Sequence, residues 1–283
     1  MAERFAIAII GSGPAGLSAA CRAAKRGVSH VLLERAAHLC DTISRYQKRK
    51  LVMATPAVLP LVSDADFGEG SREKVLETFD DAIKEAGAHV RLKAEVTSIA
   101  GAKGAFKIAL KSGETIEAEN VVLAIGLQGN IRKLTVPGAE LPFVQYQLDD
   151  PDEYQNESIA VIGGGDAGIE NALGLVAGNA VTLVVNSPEF VTAKPANIAK
   201  VQDEMKAGRM ETVMAASPAR IEPGKLILNT SQGEATVTVD RIIARIGALP
   251  PRKFVEACGV AFASEAPAAA PQVNASYETN VPE

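Results

Sequence analysis

An apolar run that breaks into glycines and then into an alanine-rich stretch occurs twice in this chain, as AIAIIGSGPAG at 6–16 and as IAVIGGGDAG at 159–168. Both carry the spacing G-x-G-x-x-G between a strand pattern and a helix pattern. The first glycine of each set, Gly11 or Gly163, permits a tight turn. The second, Gly13 or Gly165, lets a pyrophosphate approach the backbone. The third, Gly16 or Gly168, lets helix and strand pack closely. The helix then points free N–H groups and a positive dipole end at the phosphates.

Around the first turn, Phe5 to Ile10 reads as a buried parallel strand. Pro14 to Arg26 reads as a helix stopped by Gly27, and Ser29 to Glu34 as a second strand. Glu34 closes that strand, where a carboxylate can accept hydrogen bonds from a ribose diol. Residues 36–70 are irregular, with Pro56 and Pro60 as breakers, and Arg72 to Ala86 is an amphipathic helix stopped by Gly87. A hairpin turn at Ser112-Gly113 and the run Val121 to Ile125 lead to Gly126.

The second half repeats the plan. Strands are expected at Ser158 to Ile162 and Ala180 to Val185, a helix near Ala196 to Ala207, and a hairpin turn at Ser231-Gln232-Gly233. Arg241 to Ile246 then leads to Gly247. FKIALKSGETIEAENVVLAIG and KLILNTSQGEATVTVDRIIARIG share one order of strand, turn, strand, strand and glycine. Two such copies mean two related domains rather than a solenoid. The fold class expected is α/β, with two Rossmann-like three-layer domains. Residues 264–272, SEAPAAAPQ, read as a surface loop.

Counting from Gly11 to Glu34 and transferring the same offset to Gly163 lands on Asn186. Asn186-Ser187 offers neither a carboxylate, which would favour NAD, nor an arginine, which would favour NADP. A net charge of −5 argues against wholesale nucleic-acid binding, and no apolar run reaches membrane-spanning length. Cys21, Cys40 and Cys258 are too far apart for a disulfide framework or a zinc pattern, which fits a cytoplasmic setting. His30, His38 and His89 have no ligand spacing, and no metal is expected.

IIGSGPAGLSAA, NVVLAIG followed by a short loop and VPG at 136–138, VIGGGDAGIENA and RIIARIGALP stand in a specific order along nearly the whole chain. In this the sequence resembles the two-dinucleotide FAD/NAD(P) oxidoreductases of the thioredoxin-reductase-like branch. The resemblance implies an FAD domain at 1–128 plus 248–283, with an NAD(P) domain at 129–247 inserted into it. It implies that Gly11, Gly13, Gly16, Glu34, Arg35 and Gly126 contact FAD, with Ser12, Pro14, Ala15, Thr42, Val96, Ala124 and Ile125 as further candidates. For NADH or NADPH the candidates are Gly163, Gly164, Gly165, Asp166, Ala167, Gly168, Asn186, Ser187, Ile246 and Gly247.

The departures narrow the activity. No C-x-x-C lies between VPG and the second turn, Ala15 stands where bacillithiol disulfide reductases place a cysteine, and VTLVVNSPEF lacks the paired arginines of NADPH-dependent relatives. What remains resembles cysteine-free members such as ferredoxin–NAD(P) reductases. The expected function is an FAD-dependent NAD(P)H oxidoreductase whose acceptor the residues do not identify, a one-electron carrier such as ferredoxin suiting the missing dithiol; the other reading is a regulatory or degenerate module without turnover. No side chain stands out as an acid–base catalyst. The resemblance also implies a homodimer. It further implies a strand ending in glycine-aspartate after Tyr277 to Pro282, so the chain, stopping at Glu283, is expected to be a fragment or to be completed by another polypeptide.

Two features stay open on the residues alone. Cys40 lies six residues past Glu34, near a flavin or as a bystander. The basic cluster Arg45, Lys48, Arg49 and Lys50 around Tyr46 holds a phosphate, docks an acidic carrier, or is a solvated loop.

Overall fold

The computed structural model describes residues 3–52, 64–127 and 129–281. Pro56, Pro60, Pro282 and Glu283 lie outside the described residues. The chain divides into two compact units. One is Met1–Ser44, Leu51–Asn130 and Leu249–Glu283; the other is Arg45–Lys50 and Ile131–Ala248. The segment Arg45–Lys50, which the sequence reading left inside the first domain, clusters with the second unit. There the Lys48 N–H donates to the Asp149 carbonyl at 2.7 Å, and the Asn171 amide donates to Gln47 Oε1 at 2.6 Å.

The first unit comprises β1 (Arg4–Ile10), α1 (Pro14–Lys25), β2 (His30–Leu33), α2 (Asp41–Ser44), β3 (Leu51–Val52), β4 (Gly70–Ser71), α3 (Arg72–Ala86), β5 (Val90–Arg91), β6 (Val96–Ala100), β7 (Phe106–Leu110) and β8 (Thr115–Leu123), with a short helix at Arg252–Ala257. Its main sheet runs in the order β5-β2-β1-β8-β7-β6. β1 lies parallel between β2 and β8, with Ile10 opposite both Leu33 and Leu123, so all three strands deliver their carboxyl ends to one edge. Ala8, Ile10, Val31 and Leu33 alternate onto one face and pack with Ile99, Ile108 and Ile116 of the antiparallel β6–β7–β8 ribbon.

Local chemistry fixes the helices. α1 starts with Pro14 just past the Gly13 cap, where no N–H is needed, and ends with Arg22 and Lys25 against its negative dipole end. α3 is capped by Ser71, whose hydroxyl accepts from the Lys74 N–H at 3.2 Å. It ends at Gly87 in the left-handed conformation, φ +64°. Val75, Phe79 and Ile83 form its buried stripe.

The second unit comprises β9 (Val144–Gln145), β10 (Ser158–Ile162), α4 (Asp166–Leu175), β11 (Ala180–Val184), α5 (Pro195–Lys206), β12 (Met210–Val213), β13 (Ser217–Glu222), β14 (Lys225–Thr230), β15 (Gly233–Thr238) and β16 (Arg241–Ala244). Its parallel sheet has the order β12-β11-β10-β16-β9, and β13-β14-β15 form an antiparallel sheet. Alternation along β10 makes the three layers. Ile159 and Val161 face Ile169, Leu175 and Val201 of the helices, and Ala160 and Ile162 face Leu226, Leu228 and Ile221 of the antiparallel sheet. β11 pairs one side of β10 and β16 the other, so the strand order reverses there.

Candidate functional site: two glycine turns

Both turns close by the same steric rule. A Cβ on Gly11 would sit 2.7 Å from the Ala124 carbonyl oxygen, and one on Gly16 would sit 1.9 Å from that of Gly11. In the second unit a Cβ on Gly163 would sit 2.2 Å from the Arg245 carbonyl oxygen, and one on Gly168 would sit 2.0 Å from that of Gly163. Gly11 and Gly163 also take φ of +100° and +136°, where side chains are strained. The middle glycines differ. Around Gly13 no atom lies within 4 Å of the Cβ direction, and around Gly165 only Thr192 Oγ1 does, at 3.5 Å. The open side of each turn thus lies over the N-terminus of α1 or α4, where a phosphate is welcomed by orphan N–H groups.

Glu34 is buried, and its carboxylate is organised from within the turn. Oε2 accepts from the Ser12 N–H at 2.9 Å and the Ser12 hydroxyl at 2.6 Å, and Oε1 accepts from the Ala36 N–H at 2.8 Å. These bonds use three of roughly four acceptor positions. Ser12 is fully buried and orients Glu34 through both bonds. Arg35 is exposed and donates to the Gly129 carbonyl at 3.2 Å. Pro14 and Ala15 open α1, and Ala124, Ile125 and Gly126 follow β8 directly beside Gly11. Thr42 lies in α2, and Val96 opens β6 on the antiparallel side of the sheet.

In the second unit Gly164 packs against Val185, and Asp166 and Ala167 open α4. Asp166 accepts from the Lys194 N–H and the Asn197 amide, both at 2.8 Å. Those bonds hold the start of α5 over the turn. Asn186 is exposed just past β11, and the neighbouring Ser187 hydroxyl donates to the Glu189 carbonyl. Ile246 and Gly247 follow β16 as Ile125 and Gly126 follow β8.

Sequence reasoning passed over Arg245. It is the residue on which Gly163 closes, in the place Ala124 takes at the first turn. The alignment of NVVLAIG with DRIIARIG carried the signal, an arginine in one copy opposite an alanine in the other. Its Nη1 donates to the Tyr146 carbonyl at 2.8 Å, and its buried Nε has no partner among the described residues. Burial holds its pKa below the ordinary arginine value, against the opposing pull of Tyr46 and Glu170.

The open features resolve as follows. Cys40 is buried beneath the first turn, its thiol 3.1 Å from the Ser12 carbonyl, and burial together with Glu34 and Asp80 pushes its pKa up to about 12. Such a thiol carries almost no thiolate at neutral pH. Cys21 is buried in α1, as its place on an alanine-rich face suggested. In the basic cluster three cations are paired within the second unit. Lys48 pairs with Asp150 and Lys50 with Glu170, at 2.8 and 2.7 Å, and Arg49 pairs with Asp152. A separate cavity of about 920 Å³ in the first unit runs along β8 and the Arg252–Ala257 helix; its lining, including Val122, Leu127 and Val255, is mainly apolar, and Ile125 and Gly126 border it.

A family model described as pyridine nucleotide-disulphide oxidoreductase matches residues 8–283. A ferredoxin–NADP reductase from Ignicoccus hospitalis is 26% identical over 260 residues, covering 89% of this chain and 80% of that protein. Bacillithiol disulfide reductase from Staphylococcus aureus superposes with a TM-score of 0.89 at 23% identity, over 99% of this chain and 88% of that one. Thioredoxin reductase from Lactococcus lactis superposes with a TM-score of 0.80 at 20% identity, over 98% of this chain and 88% of that one. The fold is therefore the two-domain, thioredoxin-reductase-like one.

Proposed function

Because the chain belongs to the pyridine nucleotide-disulphide oxidoreductase family, we propose that its first unit holds FAD, its second unit holds NADH or NADPH, and electrons leave to a one-electron carrier of the ferredoxin kind. The observation that carries this reading is the matched pair of turns, in which Gly11 and Gly16, and again Gly163 and Gly168, leave no room for a Cβ while the middle glycine stays open. Bound together, the two cofactors supply hydride transfer from nicotinamide to flavin. The chain's own part is to bind and orient them. Glu34, fixed by Ser12 and Ala36, offers its remaining acceptor position to a ribose hydroxyl of FAD, and the Gly13 and Gly165 openings take the two pyrophosphates.

The thiols support this choice of acceptor. Cys21, Cys40 and Cys258 are all free, and Cys40 and Cys21 are buried. Dithiol exchange needs an attacking and a resolving thiol in reach of each other, and this set offers no such pair. The similarity to proteins named ferredoxin–NADP reductase supports a ferredoxin-like carrier instead. Neutral Asn186 and Ser187 support weak discrimination between the nucleotides, tilted towards NADH.

The test is a visible spectrum of the chain loaded with FAD, followed by anaerobic bleaching with NADH and NADPH and reoxidation by ferredoxin. A flavin spectrum that bleaches and recovers is expected. Absence of flavin binding or of bleaching overturns the reading in favour of a module without turnover. Rapid reoxidation by a disulfide substrate overturns the choice of acceptor.

A further inference from the structure

We infer that Arg245 anchors the phosphate of the nicotinamide half of the dinucleotide in the second unit. The inference rests on the proposed binding of NAD(P)H there and adds the residue that holds one half of it.

Its place comes first. In an open parallel sheet a ligand lies beyond the carboxyl ends of the strands where their order reverses, and here that point is between β10 and β16. Arg245 is the first residue past β16. Its N–H donates to the Ile162 carbonyl at 2.7 Å, and its own carbonyl abuts Gly163. The backbone is therefore fixed at the floor of that crevice. Asn186, past β11 on the other side of β10, marks the adenosine side, so a ligand crossing the reversal brings its other half to β16.

Its charge comes second. Among the described residues no carboxylate lies within ion-pair distance of the guanidinium, whose only hydrogen bond is to the Tyr146 carbonyl. Glu170 is already held by Lys50 at 2.7 Å and by the Asn197 amide at 3.1 Å. A largely buried cation without a direct ion pair is costly, and a guanidinium has the planar fork that suits phosphate oxygens. The turn itself does not demand it, because Ala124 serves the same backbone contact at Gly11.

The experiment measures binding to the full chain, with NADH, ADP-ribose and AMP as probes, for the parent, Arg245→Met and Arg245→Lys. ADP-ribose keeps both phosphates without the nicotinamide ring, and AMP keeps only the adenosine half. For R245M we expect Kd to rise at least tenfold for NADH and ADP-ribose and to stay within twofold for AMP. For R245K the loss should be smaller and in the same pattern. NADH and ADP-ribose binding within twofold of the parent overturns the inference, as does a loss shared equally by AMP, which would mark Arg245 as structural. Should R245M fail to fold, R245K decides, with a threefold loss confined to the two larger probes expected and parental affinity overturning. A parent chain that binds none of the probes would instead overturn the proposed nucleotide site.

Discussion

Replacing Gly13 and Gly16 separately by alanine divides binding from folding at the first turn. In Gly16→Ala the new Cβ would lie 1.9 Å from the Gly11 carbonyl oxygen, whereas real contacts of this kind do not fall below 3.0 Å, so α1 must retreat from β1 by about 1 Å. Overpacking of that sort costs about 1–3 kcal/mol. For a unit of this size each kcal/mol lowers Tm by about 2–4 °C, so a fall of ~5 °C is expected in the apo protein. In Gly13→Ala nothing lies within 4 Å of the new methyl, and the backbone, at φ −68°, suits alanine. Stability should stay within about 0.5 kcal/mol. The methyl instead occupies the phosphate's approach and weakens a charge-assisted hydrogen bond worth roughly 2 kcal/mol, which is about a thirtyfold loss of FAD affinity. Thermal melting of the apo chains and FAD titration read the two effects independently. A G13A variant that binds FAD as tightly as the parent, or a G16A variant with an unchanged Tm, would refute the reasoning.

Asn186→Arg combined with Ser187→Arg should raise NADPH affinity by about tenfold and leave NADH nearly unchanged, since the pair supplies the missing cation for a 2′-phosphate; titration of both nucleotides checks it, and no gain for NADPH would mean that another residue reads that position. Cys40 should resist iodoacetamide at pH 8 until the chain unfolds, because its pKa of about 12 suppresses the thiolate; mass spectrometry of native and denatured samples is the measurement. The same raised pKa gives a stabilisation that is full below the ordinary cysteine value of 9.0 and lost as pH climbs towards 12, so denaturant midpoints should fall across that window. Lys50→Met should cost about 2 kcal/mol, because Lys50 is 16% exposed, pairs with Glu170 and lies 4.5 Å from the Tyr46 ring centroid. Arg49→Ala, which removes a pair whose partners are both more than 60% exposed, should cost less than about 0.5 kcal/mol; equal losses in urea unfolding would show that exposure is not what separates the two.

What was legible in the sequence was whatever sterics or periodicity write locally. The glycine turns, α3 with its Gly87 stop and β10 stand where the patterns placed them. Other elements depend on partners distant in the chain. β9 is two residues long and exists because Val144 and Gln145 pair with Ile242 and Ile243. The cluster Arg45–Lys50 reads as a surface loop because Asp150, Asp152 and Glu170, which pair with three of its cations, come a hundred or more residues later. Arg245 escaped for a different reason. An isolated arginine after a strand has many uses, and only the fold shows that among the described residues no carboxylate comes within ion-pair distance of it.

The two turns share a backbone and differ in how they treat their own polar groups, and that difference bears on what each can hold. At the first turn Glu34, Ser12, Ala36 and Cys40 are already bonded to one another, so the acid is set in place before any ligand arrives. Binding there need not order the site, and the saved entropy goes into affinity. At the second turn the position that matches Glu34 carries Asn186, neutral and exposed, and among the described residues no carboxylate lies within ion-pair distance of Arg245. Fewer fixed partners mean weaker capture and quicker release. Under the function proposed above, the first arrangement suits a resident flavin and the second a nicotinamide nucleotide that is exchanged. On that proposal, the division of labour between the units follows from side chains placed on one repeated backbone plan.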